Sequence, residues 1–88
     1  TIADGLRTSL GDLTFPIIQQ YVQEILTVSE EMIMQAMRHT WERMKIIIEP
    51  SCAVPLAALI ENNYDVKGKR VGILLTGGNV DLGKLPFD

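Results

Sequence analysis

The chain is poor in the residues that build covalent and metal cross-links: it has one cysteine, Cys52, and one histidine, His39, among 88 residues. A lone cysteine cannot form a disulfide within the chain, and a structural zinc site needs four ligands drawn mainly from these two residue types. Both kinds of cross-link are therefore excluded here, no metal site is predicted in the chain, and a reducing, cytoplasmic location is expected.

Positive charge and long apolar runs are also scarce. Eight Lys and Arg stand against eleven Asp and Glu, for a net charge of −3, and the basic residues are scattered apart from residues 67–70. The longest apolar run, residues 52–60, is too short to span a bilayer and contains Pro55. We therefore expect neither nucleic acid nor a membrane as a partner.

Hydrophobic residues are abundant, at 47% of the chain, and only 22% of residues are charged. This composition is typical of a folded protein and is rather apolar for a free-standing domain of this size. The composition favours a segment of a larger core, truncated from a longer protein.

Periodicity predicts alternating helices and short buried strands. A β-branched apolar run at 24–28 and the unalternating run 71–75 are predicted strands. Helices are predicted from the Thr14-Phe15-Pro16 motif onward, from a Ser29 cap through residue 47, and after a Ser51 cap that follows Glu49-Pro50. Such strands should be parallel, but two strands alone cannot cover both faces of a parallel sheet. The predicted fold class is α/β, a partial three-layer sandwich with helices packed on a parallel sheet to which this chain supplies about two strands.

Small and polar residues follow the second predicted strand, where open α/β sheets place their ligands. Gly77 and Gly78 are expected to permit positive φ and close backbone approach, with Thr76 and Asn79 beside them. A second turn is expected at Gly5, and the tail beyond residue 79 is expected to run over the surface. Without further information, an ordinary tight turn and a ligand site both explain the 76–79 loop.

Four motifs in order resemble the carboxyl-terminal part of serine racemase and the serine/threonine dehydratases. They are TIADG at 1–5, WERMK at 41–45, EPS at 49–51 and LTGGNVDL at 75–82. These are pyridoxal-phosphate enzymes of the tryptophan-synthase-β fold class. The resemblance implies that the chain is the C-terminal part of the large, cofactor-binding domain of a serine/threonine dehydratase or serine racemase.

The resemblance also implies roles for individual residues. Thr76 matches the hydroxyl residue that hydrogen-bonds the pyridine nitrogen, Gly5 matches a position whose backbone lies beside the cofactor, and Glu49 matches a carboxylate close to the ring. Thr8 matches a serine near the substrate, which leaves the β-substituent preference open.

Lys45 and Asn79 match residues that bind activating ATP in the eukaryotic racemase, although many dehydratase relatives use no nucleotide. Magnesium and ATP would then be effectors whose ligands lie mostly outside this chain. The Schiff-base lysine, the phosphate cradle and the acidic metal ligands of the family all lie upstream of the matched part. The chain alone is therefore expected to be inactive and to need the missing N-terminal part, in an enzyme that is usually a homodimer.

A different class of function is compatible with the residues alone. A non-catalytic α/β module could bind a small ligand or a partner chain through the 76–79 loop. A natural reading frame that starts near Thr1 would favour this alternative.

Overall fold

The computed structural model describes residues 1–62 and 65–87. In this part of the chain a single 3₁₀ turn, Asp4–Leu6, precedes three α-helices: α1 (Thr14–Tyr21), α2 (Glu30–Met44) and α3 (Pro50–Glu61). None of these helices combines the length and the apolar content that crossing a membrane requires.

Helix α2 begins where the sequence predicts. Ser29 has extended backbone and its hydroxyl accepts a hydrogen bond from the Met32 N–H at 3.2 Å, which satisfies one of the free donors of the first turn. Glu30 and Glu31 lie in that turn, where the helix dipole favours negative charge. The predicted Ser29 cap is confirmed.

The end of α2 differs from the prediction. The helix ends at Met44, and Lys45 takes a left-handed conformation with φ 59° and ψ 34°. Residues 46–48 therefore leave the helix axis, and Ile47, predicted on the apolar helical face, is exposed. Three β-branched isoleucines in a row favour leaving the helix, because their side chains crowd the preceding turn.

Helix α3 starts earlier than predicted, at Pro50, with Glu49 in the cap position. Ser51 is therefore inside the first turn and is not the cap. Pro55 lies in the second turn, where it has no N–H to give to the carbonyl four residues before it.

Helices α2 and α3 pack against each other and form the core. Small residues at the contact let the two backbones approach closely, and the buried Thr40 hydroxyl is satisfied by donating to the Ala36 carbonyl at 2.9 Å. The buried apolar residues are Ala3, Ile33, Ala36, Met37, Ile48, Cys52, Ala53 and Ala57. Ala3 and Ile48 belong to this set, so the 3₁₀ turn and the 46–48 segment both join the core.

The predicted strands at 24–28 and 71–75 do not form in residues 1–62 and 65–87, which contain helices and turns only. A strand is defined by backbone hydrogen bonds to a neighbouring strand. In the described residues, one backbone hydrogen bond joins segments that are distant in sequence, and it runs from the Glu49 N–H to the Gly77 carbonyl at 3.1 Å. The expectation that this chain itself supplies about two strands is wrong for this structure, since neither segment has a paired neighbour.

The tail also departs from its prediction. Residues 85–87 are half-buried, and the Phe87 ring meets Trp41 edge-on with ring centres 5.4 Å apart. The Trp41 indole N–H donates to the Ile48 carbonyl at 2.9 Å. Trp41 thus ties α2 to both the 46–48 segment and the tail.

Candidate functional site

The turn that carries Gly5 is held against the first turn of α3. Its own backbone bonds run from the Leu6 N–H to the Ala3 carbonyl and from the Arg7 N–H to the Asp4 carbonyl, each at 3.0 Å. The Gly5 N–H donates to the Ser51 hydroxyl at 3.1 Å, across 46 positions of sequence. The turn is therefore fixed to α3 by a direct backbone-to-side-chain bond.

A second contact holds the segment that leads into this turn. The Ile2 N–H donates to Glu30 Oε2 at 2.8 Å. This bond, followed by one with Thr1, lowers the pKa of the Glu30 carboxyl below its ordinary value, because both favour the ionised form. The 1–5 segment is thus anchored at Glu30 and at Ser51.

Glu49 lies between the turn and the 76–79 loop. Its N–H donates to the Gly77 carbonyl at 3.1 Å, and its Oε1 accepts from the Asn79 N–H at 3.4 Å. Its Oε2 lies 3.8 Å from the point that a side chain on Gly5 would occupy. The Glu49 carboxylate therefore bonds the 76–79 loop and lies near the Gly5 turn, although these two segments are more than 70 residues apart in the sequence.

We call Gly5, Glu49, Ser51 and the 76–79 loop the junction. Its glycines avoid close contacts with neighbouring atoms, and none of them has positive φ. Among the described residues, Gly68 is the glycine with positive φ, at 73°, so the expectation for Gly77 and Gly78 is wrong. A Cβ on Gly77 would lie 2.6 Å from Glu49 Oε1, and one on Gly78 would lie 2.5 Å from the Ile47 carbonyl oxygen. Both contacts are too short for a carbon atom, so only glycine fits without a shift.

The remaining candidate residues lie around this junction. Thr76 directly precedes Gly77 and is exposed, and Thr8 is exposed two residues after the Asp4–Leu6 turn. Lys45 is exposed at the end of α2, and within residues 1–62 and 65–87 no hydrogen bond or ion pair links it to Asn79. The structure thus brings together Gly5, Glu49 and the loop of Thr76 and Asn79, and leaves Thr8 and Lys45 outside these contacts.

Two features of the junction had no signal in the sequence. Ser51 directly follows Glu49 and Pro50, but its partner Gly5 is distant along the chain. A cavity of about 140 Å³ lies beside the junction, and Asp4, Pro50 and Asn79 are among the residues that line it. Proximity of this kind arises only from packing, so no local pattern could have revealed it.

The chain matches a family model described as pyridoxal-phosphate dependent enzyme over residues 1–77. The chain belongs to this family. It is 49% identical to the β-hydroxyaspartate dehydratase of Paracoccus denitrificans over 100% of the chain and 28% of that protein. It is 52% identical to the serine racemase of Dictyostelium discoideum over 97% of the chain and 27% of that protein.

Structural comparison agrees. The crystal structure of serine racemase from Dictyostelium discoideum matches with a TM-score of 0.86 and 54% identity, over 93% of this chain and 28% of that one. The structural neighbours of this chain are α/β enzymes that use pyridoxal phosphate, so the predicted α/β fold class is confirmed for the family. The chain spans little more than a quarter of the length of these relatives.

The junction fits one side of a pyridoxal-phosphate site. Thr76 supplies an exposed neutral hydroxyl and Glu49 supplies a carboxylate, while the space beside Gly5 and Gly77 is taken up by the side chains of Ser51 and Glu49. A hydroxyl can donate to or accept from a ring nitrogen. The four lysines, Lys45, Lys67, Lys69 and Lys84, are all exposed, and Lys84 is among the residues that line the cavity beside the junction.

Proposed function

We propose that the whole protein is a pyridoxal-phosphate-dependent serine/threonine dehydratase or serine racemase acting on hydroxy-amino acids. It removes the proton from Cα and then either expels the β-hydroxyl, which leads to a keto acid and ammonia, or returns a proton to the opposite face. This chain is proposed to be the C-terminal part of the large domain.

The observation that carries the proposal is the junction at Glu49. Gly5, Glu49 and the 76–79 loop, each matched to cofactor positions by the motifs, meet at one carboxylate although they are far apart in sequence. The two relatives, at 49% and 52% identity, align over 100% and 97% of the chain. The same comparisons give no support to a non-catalytic binding module.

We propose a role for each of four candidate residues in this chain. The Thr76 hydroxyl binds the ring nitrogen, the Gly5 backbone lies along the ring, and the Glu49 carboxylate stays beside it. The Thr8 hydroxyl faces the substrate. Pyridoxal phosphate, when bound, supplies the electron sink that makes the Cα proton removable, and a neutral hydroxyl at the nitrogen makes that sink weaker than a carboxylate partner would.

The test uses the full-length protein loaded with pyridoxal phosphate. L-serine, L-threonine and 3-hydroxyaspartate are supplied in turn, and keto acid, ammonia and the opposite enantiomer are measured. At least one substrate should yield product, and Thr76→Ala should lose much more activity than the matched control Thr76→Ser, which keeps the hydroxyl. A cofactor-loaded protein that converts none of the three substrates contradicts the proposal.

The relative yields of keto acid and of the opposite enantiomer then separate a dehydratase from a racemase. The substrate comparison also decides the β-substituent preference. Thr8→Ser removes one methyl group and keeps the hydroxyl. If Thr8 faces the substrate, this change should shift the KM for threonine more than the KM for serine.

The sheet is part of the same proposal. In the intact enzyme, residues 24–28 and 71–75 are proposed to join a parallel sheet whose other strands lie outside this chain. Hydrogen exchange of the full-length protein tests this, because the 71–75 amides should then be strongly protected. Rapid exchange throughout that segment in the folded enzyme would argue against the sheet.

Nucleotide binding at Lys45 and Asn79 remains a prediction, as do magnesium, the homodimer and the cytoplasmic location. Calorimetric titration of the full-length protein with ATP, with and without magnesium, tests the first two. Lys45→Ala and Asn79→Ala should each weaken the binding if these residues are involved, whereas Lys67→Ala should leave it unchanged.

A further inference from the structure

The Ser51 hydroxyl is used for a tertiary contact. The cap position of α3 belongs to Glu49, whose side chain makes no capping hydrogen bond, and Ser51 lies two residues further on, inside the first turn. Its Oγ instead accepts the Gly5 N–H at 3.1 Å. The hydroxyl therefore holds the 3₁₀ turn and not its own helix.

The space around Gly5 depends on the same hydroxyl. A Cβ on Gly5 would lie 2.8 Å from Ser51 Oγ, 3.4 Å from Ser51 Cβ and 3.8 Å from Glu49 Oε2. Since Gly5 lacks positive φ, its backbone conformation does not require glycine. The short contact with the Ser51 hydroxyl does.

We infer that Ser51 is a positioning residue, which fixes the Gly5 backbone against the first turn of α3, near the Glu49 carboxylate. The inference rests on the proposed function, in which Gly5 and Glu49 both border the cofactor. Since the Ile2 N–H is held separately by Glu30, loss of the Ser51 hydroxyl frees the turn near Gly5 while leaving its start anchored.

The test uses full-length protein with Ser51→Ala, Ser51→Thr, Gly5→Ala and the double variant Gly5→Ala/Ser51→Ala. Two quantities are measured: the Kd for pyridoxal phosphate and the melting temperature of the cofactor-free form. Ser29→Ala is the matched control, because it also removes a hydroxyl from a helix start but lies away from the junction.

Ser51→Ala should weaken cofactor binding about three- to tenfold, the range that one lost hydrogen bond produces, whereas Ser29→Ala should leave the Kd unchanged. The melting temperature of the cofactor-free form should fall no further in Ser51→Ala than in the control. Ser51→Thr keeps the hydroxyl and should bind nearly as well as wild type.

Gly5→Ala should weaken cofactor binding by a larger factor in the wild-type background than in the Ser51→Ala background. Without Oγ, the atom nearest to the new Cβ is Ser51 Cβ, at the ordinary distance of 3.4 Å. If Gly5→Ala is equally harmful in both backgrounds, or if Ser51→Ala binds the cofactor like wild type, the inference fails. A wild-type protein that binds no pyridoxal phosphate would instead refute the proposed function. Should Ser51→Ala not fold, Ser51→Thr alone decides: tenfold weaker binding despite the retained hydroxyl would overturn the inference.

Discussion

Glu49 is the residue on which the junction depends, because its backbone and its carboxylate hold the same loop. Its N–H binds the Gly77 carbonyl and its Oε1 accepts the Asn79 N–H. The two neighbouring glycines face different obstacles: the flexible end of the Glu49 side chain at Gly77, and the backbone carbonyl of Ile47 at Gly78. The obstacle at Gly77 can move and the obstacle at Gly78 cannot.

Gly77→Ala and Gly78→Ala should therefore affect different properties of the full-length enzyme. Gly78→Ala should lower the free energy of unfolding by about 1–3 kcal/mol, because a fixed backbone atom must shift. Gly77→Ala should change it by less than about 1 kcal/mol but weaken pyridoxal-phosphate binding, because the Glu49 carboxylate swings aside. Denaturant unfolding and cofactor titration measure the two effects.

Gly11→Ala is the control for both variants, since the nearest atom to its Cβ is Thr14 Oγ1 at an ordinary 3.7 Å. Equal loss of stability in Gly77→Ala and Gly78→Ala would show that the Glu49 side chain is as immovable as the backbone. That result would contradict the proposed division of roles.

The Glu30 carboxylate leads to a pH-dependent prediction. Because the Ile2 and Thr1 hydrogen bonds lower its pKa in the folded state, its contribution to stability is present above the ordinary carboxyl value of about 4.5 and is lost as the pH falls through the lowered pKa. Glu30→Gln should thus destabilise the full-length protein at neutral pH, with a difference from wild type that shrinks in acid. Urea midpoints measured from pH 7 downward follow this difference.

Glu31→Gln is the matched control, since Glu31 lies in the same turn and its side chain bonds Gln35 within α2. Its effect at neutral pH should be smaller than that of Glu30→Gln, because its bond lies within one helix and holds no distant segment. A constant Glu30→Gln effect at every pH would mean that the bond from Ile2 does not depend on the ionised carboxylate.

At the scale of elements, α2 and α3 are held together at both ends. Near the start of α2 the Ser29 N–H donates to Glu61 Oε2 at 2.6 Å, and the Asn62 side-chain amide donates to the Thr27 carbonyl at 2.9 Å. At the other end Trp41 reaches the Ile48 carbonyl. The first turn of α3, which bears the junction, is thus placed relative to α2 by contacts at both ends of the helix pair.

Ser29→Ala removes the hydroxyl that caps α2 and should lower the free energy of unfolding by about 1 kcal/mol. Ser29→Asp keeps an acceptor for the Met32 N–H, but it places a negative charge near the Glu61 carboxylate. Ser29→Asn keeps an acceptor without charge and should stay closer to wild type. Thermal unfolding of the full-length protein distinguishes these cases, and equal losses in Ser29→Ala and Ser29→Asn would exclude the cap as the cause.

The whole molecule is more open than its mass requires. It exposes 6982 Å² and has a radius of gyration of 14.1 Å. A compact monomer of 9.8 kDa would expose about 5,200 Å² and have a radius of gyration of about 12 Å. The excess area, roughly 1,800 Å² on this chain alone, is about twice what one partner loses in a standard protein interface. Large apolar side chains such as Leu13, Tyr21, Ile25 and Leu74 contribute to it.

The 88-residue chain produced alone should therefore associate or bind apolar dyes, and it should form no keto acid with added pyridoxal phosphate. Light scattering, dye fluorescence and product assay test these points. Co-production with the remainder of the enzyme should give a soluble complex. A monomeric, dye-free chain would contradict the expectation that other protein covers this surface.

The sequence by itself determined the features that depend on neighbouring residues. The Ser29 cap and the acidic first turn of α2 follow from local hydrogen-bonding and dipole effects, so they were predictable. The family was also predictable, because its motifs are short, ordered and contiguous. The end of α2 at Met44 and the start of α3 at Pro50 were less predictable, because ending or starting the helix one or two residues away has nearly the same local energy.

Tertiary structure alone decided how the junction is built. A Cβ on residue 5, 77 or 78 would meet an atom of Ser51, Glu49 or Ile47 respectively, and these atoms come from distant parts of the chain. The absence of strands in the described residues has the same origin, since a strand needs a hydrogen-bonded neighbour. Contacts between segments remote in sequence depend on how the chain packs, and no local pattern specifies them.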